Sequence, residues 1–208
     1  MSKFSQNWEE RRTGMKAVLK PGAPLRQKIE LATRRMEAQI QYLNGAIHVL
    51  TERDKYLFSK VVDAYSKHEI QRANVFAGEL AEMRKMAGFM MNAELALEKV
   101  DLRLKTVTQL GNMAAILAPV GKVIQSIRSG VAGILPNAEQ ELGGIGMLLD
   151  EIMIDAGQTT GMGPNFEAAS GDAMKILNEA SVVAEQTMKE KFPELPALRA
   201  EERAERVE

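Results

Sequence analysis

The chain contains no cysteine, two histidines and few aromatic residues, and each shortage removes a class of function. Without cysteine there is no disulfide framework, no thiolate zinc site and no thiol nucleophile. His48 and His68 lie 20 residues apart, a poor start for a zinc cluster or a catalytic triad. Aromatics are 5% of the 208 residues, thin for one packed core of that length. No apolar run reaches the roughly 18 residues that read as a membrane span. The first residues lack the apolar stretch of a signal peptide, so a soluble cytoplasmic protein is the expectation. "GQTTGMG" at 157–163 has glycines but no Lys-Ser/Thr after them, so it is not a phosphate cradle. No Glu-x-x-His pair supports a di-iron bundle. The reading is therefore a non-enzyme, with no cofactor, no metal and no catalytic residue.

What is present is charge, and it is unevenly placed. The net charge is −1, yet residues 1–128 carry 21 Lys and Arg against 13 Asp and Glu, or +8. Residues 129–208 carry 6 against 15, or −9. A basic part of this kind suits an anionic surface, and an acidic part can fold back over it as a lid. Nucleic acid is a weaker partner, because no stacking or groove-reading element is interleaved with the basic residues.

Helical periodicity dominates the rest. "KPGAPL" at 20–25 is a breaker, and Pro24 suits the first turn of a new helix. Beyond it, Ile29, Met36, Leu43, Leu50, Leu57 and Ala64 fall seven apart, with Ile40, Ile47 and Val61 as a second row. Such a seam predicts one helix over about 24–67, roughly 65 Å long at 1.5 Å per residue. Asp54 occupies a seam position and needs a partner, on the facing helix or on another subunit. "YSKHEIQ" at 65–71 can turn the chain. A second long helix is expected over about 71–117, with Phe76, Leu80, Met83, Ala87, Met90, Leu97 and Leu104 as its stripe. The two make an antiparallel hairpin. Pro119 should break or kink the pattern.

Three further helices are expected, at 120–136, 137–156 and 166–191. Gly133 and Pro136 end the first, and Asn137 caps the second. Met174, Leu177, Val182 and Met188 of the last are expected on the hairpin. The fold class is thus all-α: a long hairpin, shorter helices and a flexible acidic C-terminal arm. The expected organisation is an amphipathic N-terminal segment at 1–20, a helical core at 21–156, a linker and regulatory helix at 157–191, and a tail at 192–208.

The two ends carry candidate binding segments. Phe4 and Trp8 are four apart, so a helix sets both on one side. With Arg11, Arg12, Lys16 and Lys20 they suit a helix lying in a lipid headgroup layer, or Trp8 packs on the hairpin as a plug. In the tail, Phe192, Leu195 and Leu198 repeat every three residues, and so do Pro193 and Pro196. Polyproline II has three residues per turn, so these read as a stiff extended ligand for another protein.

The stretches "FSQNWEE", "ERDKYLFSKVVDAYSKHEIQRANVFAGELAEMRKMAGFM" and "ELALEKVDLRLKTVTQLG" resemble the archaeal CdvB-type cell-division proteins of the ESCRT-III superfamily. The resemblance covers about residues 4–156 and is most specific at 72–86. It implies a helical hairpin that polymerises with itself and with paralogous subunits on anionic membranes and severs membrane necks at the division site. It also implies an AAA ATPase whose MIT domain (microtubule-interacting-and-trafficking) takes the tail motif, here Phe192, Pro193, Leu195, Pro196 and Leu198. Asp54, Arg72, Glu79, Glu82, Arg84 and Lys85 are then contacts within the hairpin or between subunits. The longer family members carry a winged-helix segment. This chain ends ten residues after Leu198, which looks like a shorter paralogue. The competing expectation is a cytoplasmic coiled-coil scaffold with no membrane role.

Overall fold

The computed structural model describes residues 25–110, 113–155 and 166–193. Among these residues every regular element is a helix: α1 Leu25–Ser66, α2 Ile70–Leu110, α3 Met113–Val131, α4 Pro136–Asp155 and α5 Phe166–Lys191. The all-α expectation holds.

Helices α1 and α2 form the hairpin. Its turn spans residues 67–69 and places His68 at φ +59°, in the left-handed region. The His68 amide donates to the Tyr65 carbonyl at 3.0 Å and the Glu69 amide to Ala64 at 2.9 Å. This is a Schellman end without glycine, and it satisfies carbonyls the terminating helix would leave open. The seam of α1 is buried as its spacing requires: Ile29, Met36, Ile40, Leu43, Ile47, Leu57, Val61 and Ala64 are all inside, with Leu50 half-buried. On α2, Leu80, Met83, Ala87, Met90, Leu97 and Leu104 are buried, and Phe76 is half-buried.

The apolar contacts fall into two clusters. A small one at the tip joins Leu57 and Val61 to Leu80 and Met83. The main one begins at Ile47 and Ala87 and runs away from the turn, taking in α3, α4 and α5. Helix α4 packs on α1 and α3, while α5 packs on α2 and α3.

Several boundaries differ from expectation. Helix α2 is described to Leu110, and residues 116 and 117 belong to α3. Pro119 lies inside α3 and does not break it. An interior proline costs about 3 kcal/mol or more. Burial of Leu117, Val120, Val123, Ile124 and Ile127 on the same helix offsets that cost. Helix α3 stops at Val131, and Gly133 takes φ +79° just beyond it. Pro136 is the first residue of α4, so Asn137 sits inside the first turn and is not its cap. The buried stripe of α5 also differs: it is Ala169, Ala173, Ile176, Ala180 and Ala184. Met174 and Val182 face out, and Leu177 and Met188 pack at the edge of the core. Small alanines let α5 lie close to the hairpin, an effect that a search for large apolar residues misses.

Candidate functional site

Asp54 sits between the two apolar clusters and is 1% exposed. Its partner is Arg84 on α2. Arg84 Nε donates to Oδ1 at 2.5 Å and Nη2 to Oδ2 at 3.0 Å. A two-pronged guanidinium–carboxylate pair fixes both side chains in direction as well as distance. A buried charge is tolerated only when paired in this way, so one register of α1 against α2 is selected.

Arg84 has a third task. Its Nη1 donates to the Pro193 carbonyl at 2.9 Å. The guanidinium also lies 5.7 Å from the centre of the Phe192 ring and 6.0 Å from that of Phe58. These distances suit cation–π attraction. Phe192 is 5% exposed, and its amide donates to the Met188 carbonyl at 2.9 Å, extending the last turn of α5. The first two residues of the tail motif are therefore held on the hairpin in this conformation. Leu195, Pro196 and Leu198 lie outside the described residues, as do Phe4, Trp8, Arg11, Arg12, Lys16 and Lys20.

The other charged residues singled out near the tip are exposed. Arg72 pairs with Glu69 at 3.0 Å and lies over the Phe76 ring at 5.6 Å. Glu79, Glu82 and Lys85 make no ion pair among the described residues, so their charge is available to solvent or to another molecule.

Among the described residues, ion pairs between the basic and acidic halves include Lys28, Lys99 and Arg128, the last facing Glu139 at 3.6 Å. Lys28 of α1 is buried and donates to Glu151 at 2.5 Å and Asp155 at 2.6 Å at the end of α4. Burial works against its charge, but the hydrogen bonds and charges of the two carboxylates win and hold Lys28 above the ordinary lysine value. Lys99 of α2 pairs with Glu179 of α5 at 2.5 Å and draws the Glu179 carboxyl below its usual range. Within the hairpin, Lys105 bridges Glu37 at 2.8 Å and Asp101 at 2.6 Å. The sequence suggested an electrostatic lid. The contact is mainly apolar, through the α5 alanine stripe and Phe192, with these pairs at its margins.

One surface was missed. On the outer side of α1, Leu31, Ala38, Tyr42, Gly45, Val49 and Tyr56 recur at spacings of three, four and seven, so they share a face. Val49 is 64% exposed and Tyr56 60%. A Cβ built on Gly45 meets nothing within 4 Å, so no intramolecular neighbour requires glycine there. Glycine inside a helix costs about 1 kcal/mol relative to alanine. The legible signal was the repeat at 42, 49 and 56, hidden beside the stronger seam. Among the described residues no cluster of His, Asp and Glu is arranged to hold a metal ion, and no helix is long and apolar enough to cross a membrane.

Comparison with known proteins finds relatives along most of the chain. Cell division protein B1 of Sulfolobus acidocaldarius is 41% identical over 196 residues, 93% of this chain and 90% of that protein. Cell division protein B of the same organism is 35% identical over 162 residues, 78% of this chain and 62% of that protein. No family model matches, and no solved structure matches.

Proposed function

This chain belongs to the CdvB-type archaeal cell-division proteins, and from that premise we propose that it assembles into membrane-associated filaments that constrict and sever membrane necks during division. The observation that carries the assembly step is the outer face of α1. A 42-residue helix already satisfied on one side presents a second apolar stripe to solvent, with a glycine that nothing in the monomer explains. Copies of the same hairpin, or of a paralogue, are the fitting occupants, since a helix with glycine on its face allows close approach of a second helix. A contact between two different faces of the hairpin is head-to-tail, and where the rotation between copies does not close into a ring it propagates as a filament.

The membrane step falls to the N-terminal segment. Phe4 and Trp8 with Arg11, Arg12, Lys16 and Lys20 supply an apolar edge and a basic edge for an anionic headgroup layer. The tail supplies the disassembly step: an ATPase with an MIT domain docks the segment Phe192–Leu198 and extracts subunits. Two facts support a regulated form of this step. Phe192 is in the core, and Arg84 grips Pro193, so full docking requires the end of α5 to leave the hairpin. Assembly that displaces α5 then exposes the ligand on polymers in preference to monomers. Many tails displayed together also raise effective affinity without any new contact.

Co-sedimentation with anionic liposomes tests the reading. The wild-type chain pellets with lipid. Val49→Asp, on the exposed stripe, stays folded and binds as single subunits without forming filaments. Filament formation that is indifferent both to lipid and to Val49→Asp contradicts it and leaves the cytoplasmic scaffold.

A further inference from the structure

The stripe on the outer side of α1 is a complete four-three repeat. Between Leu31 and Tyr56 its two remaining positions are Arg35 and Glu52, so the period runs unbroken for 26 residues, more than three heptads. Every position of the repeat is exposed. Arg35 makes no ion pair among the described residues. A Cβ built on Gly144 of α4 stands 3.4 Å from the Arg35 Nη1, so the guanidinium lies at the border between α4 and the open face. Glu52 pairs with Lys55 on its own helix, and both side chains are more than half exposed.

The repeat reads as its own complement when reversed. With a second α1 laid antiparallel along the first, Tyr42 comes level with Gly45 of the other copy, where a Cβ meets nothing within 4 Å. In the same register Val49 faces Ala38, again large against small, and Tyr56 faces Leu31, apolar against apolar. Arg35 faces Glu52, cation against anion. Each of these pairs occurs twice, once from either copy. Other arrangements lose the match. A slide of one heptad sets Arg35 against Gly45 in one direction and against Ser59 in the other. A parallel pair in register sets Arg35 against Arg35 and Glu52 against Glu52, and like charges facing each other are costly.

We propose that the outer face of α1 binds the same face of a second copy as an antiparallel, two-fold pair. The inference rests on reading that face as a contact between copies, and adds which face the second copy brings. In a two-fold contact residue i meets j while j meets i, and the four layers satisfy that condition. Gly45 and Ala38 let the two backbones come close, and Tyr42 and Val49 fill the space the small residues leave. The Arg35–Glu52 layers fix direction and register more than they add affinity. Arg53 lies at the rim of the same layer, where its long side chain keeps its head in solvent. A two-fold contact closes on itself. It makes a dimer and leaves growth of the filament to a head-to-tail contact through another face. The outer side of α2, where Val75, Met86 and Phe89 are exposed, is open for that.

The chain has no cysteine, so introduced thiols report the pairing directly. Full-length Ala38→Cys and Val49→Cys chains are mixed without lipid and treated with a short thiol cross-linker. The mixture should give covalent dimer at least tenfold above either variant alone, because 38 meets 49 of the other copy while like positions lie 11 residues apart, about 16 Å. Sedimentation gives a second reading. Arg35→Glu and Glu52→Arg each set like charges in two layers and should weaken dimerisation at least tenfold, with helical circular dichroism retained. The double variant restores opposite charges and should recover the dimer. No cross-link above the single variants overturns the proposal, and so does a double variant as weak as either single one. Cross-linking of Val49→Cys to Phe89→Cys in place of Ala38→Cys also overturns it, since α2 would then be the face that α1 meets. Filaments on lipid that Val49→Asp abolishes, formed without the 38–49 cross-link, would keep the assembly reading and end this one. Cross-linked dimers that never coat vesicles would uphold the pairing and end the filament reading.

Discussion

Arg84 and Pro193, 109 residues apart in sequence, are joined by a hydrogen bond of 2.9 Å from the Arg84 Nη1 to the Pro193 carbonyl. The same guanidinium neutralises the buried Asp54, so the register of the hairpin and the position of the tail depend on one side chain. Separating those roles gives the first prediction. Arg84→Ala strands a buried carboxylate and should lower stability by about 3–5 kcal/mol. Asp54→Leu with Arg84→Met replaces the pair with apolar groups and should hold or raise the unfolding midpoint. The double variant still lacks the donor to Pro193. Amide hydrogen exchange should therefore speed up at residues 190–192, Pro193 having no amide proton, while the hairpin stays protected. Unchanged protection of the tail would show that Arg84 does not retain it.

Phe192 links α5 to the hairpin core. Phe192→Ala should cost about 3–5 kcal/mol locally, expressed as release of α5 before the hairpin melts. Limited proteolysis should then cut the C-terminal region at much lower protease concentration. If the ATPase docks the tail as proposed, its MIT domain should bind Phe192→Ala with no loss greater than the lost ring contact, and bind Leu195→Asp not at all. Equal binding by Leu195→Asp and wild type excludes the docking role.

Gly45 separates stability from assembly. Gly45→Ala fills open space on a helix and should stabilise the monomer by about 0.5–1 kcal/mol, a rise of a few degrees in Tm. The added methyl also stands on the stripe where a second helix would approach. Pelletable polymer should therefore fall with Gly45→Ala and fall further with Gly45→Leu. Wild-type pelleting by both variants would remove α1's outer face from the assembly account.

Glu94 supplies a pH test. Burial raises its carboxyl above the ordinary value near 4.5, and Glu98 adds to the rise, with Lys191 opposing. A carboxyl raised in the folded state favours folding when protonated. Its cost therefore appears as pH climbs past 4.5 and is complete above the raised value. Glu94→Gln should increase the unfolding midpoint at pH 7, and the gain should shrink toward pH 4. A gain that is the same at both values contradicts the assignment.

The hairpin was legible because both helices repeat one seam for many turns, and a long period survives single exceptions such as Asp54. Asp54 itself announced a need for a partner, but sequence spacing cannot say which of the cations on the facing helix satisfies it. Pro119 misled because local propensity ignores how much apolar surface the rest of α3 buries. The α5 stripe misled for the opposite reason. Its buried residues are mostly alanines, and the larger Met174 and Val182 point to solvent. Phe192 fitted the period of three in the tail. The structure shows it also closes the last turn of α5, a dual use that no one-dimensional pattern distinguishes.

Electron microscopy of the full-length chain with and without anionic liposomes tests the central claim most directly. The account predicts filaments on the vesicle surface, narrowing of membrane tubes where they coil, and loss of both in Val49→Asp. Bare vesicles beside dispersed wild-type particles, under conditions where the protein is folded, would contradict it.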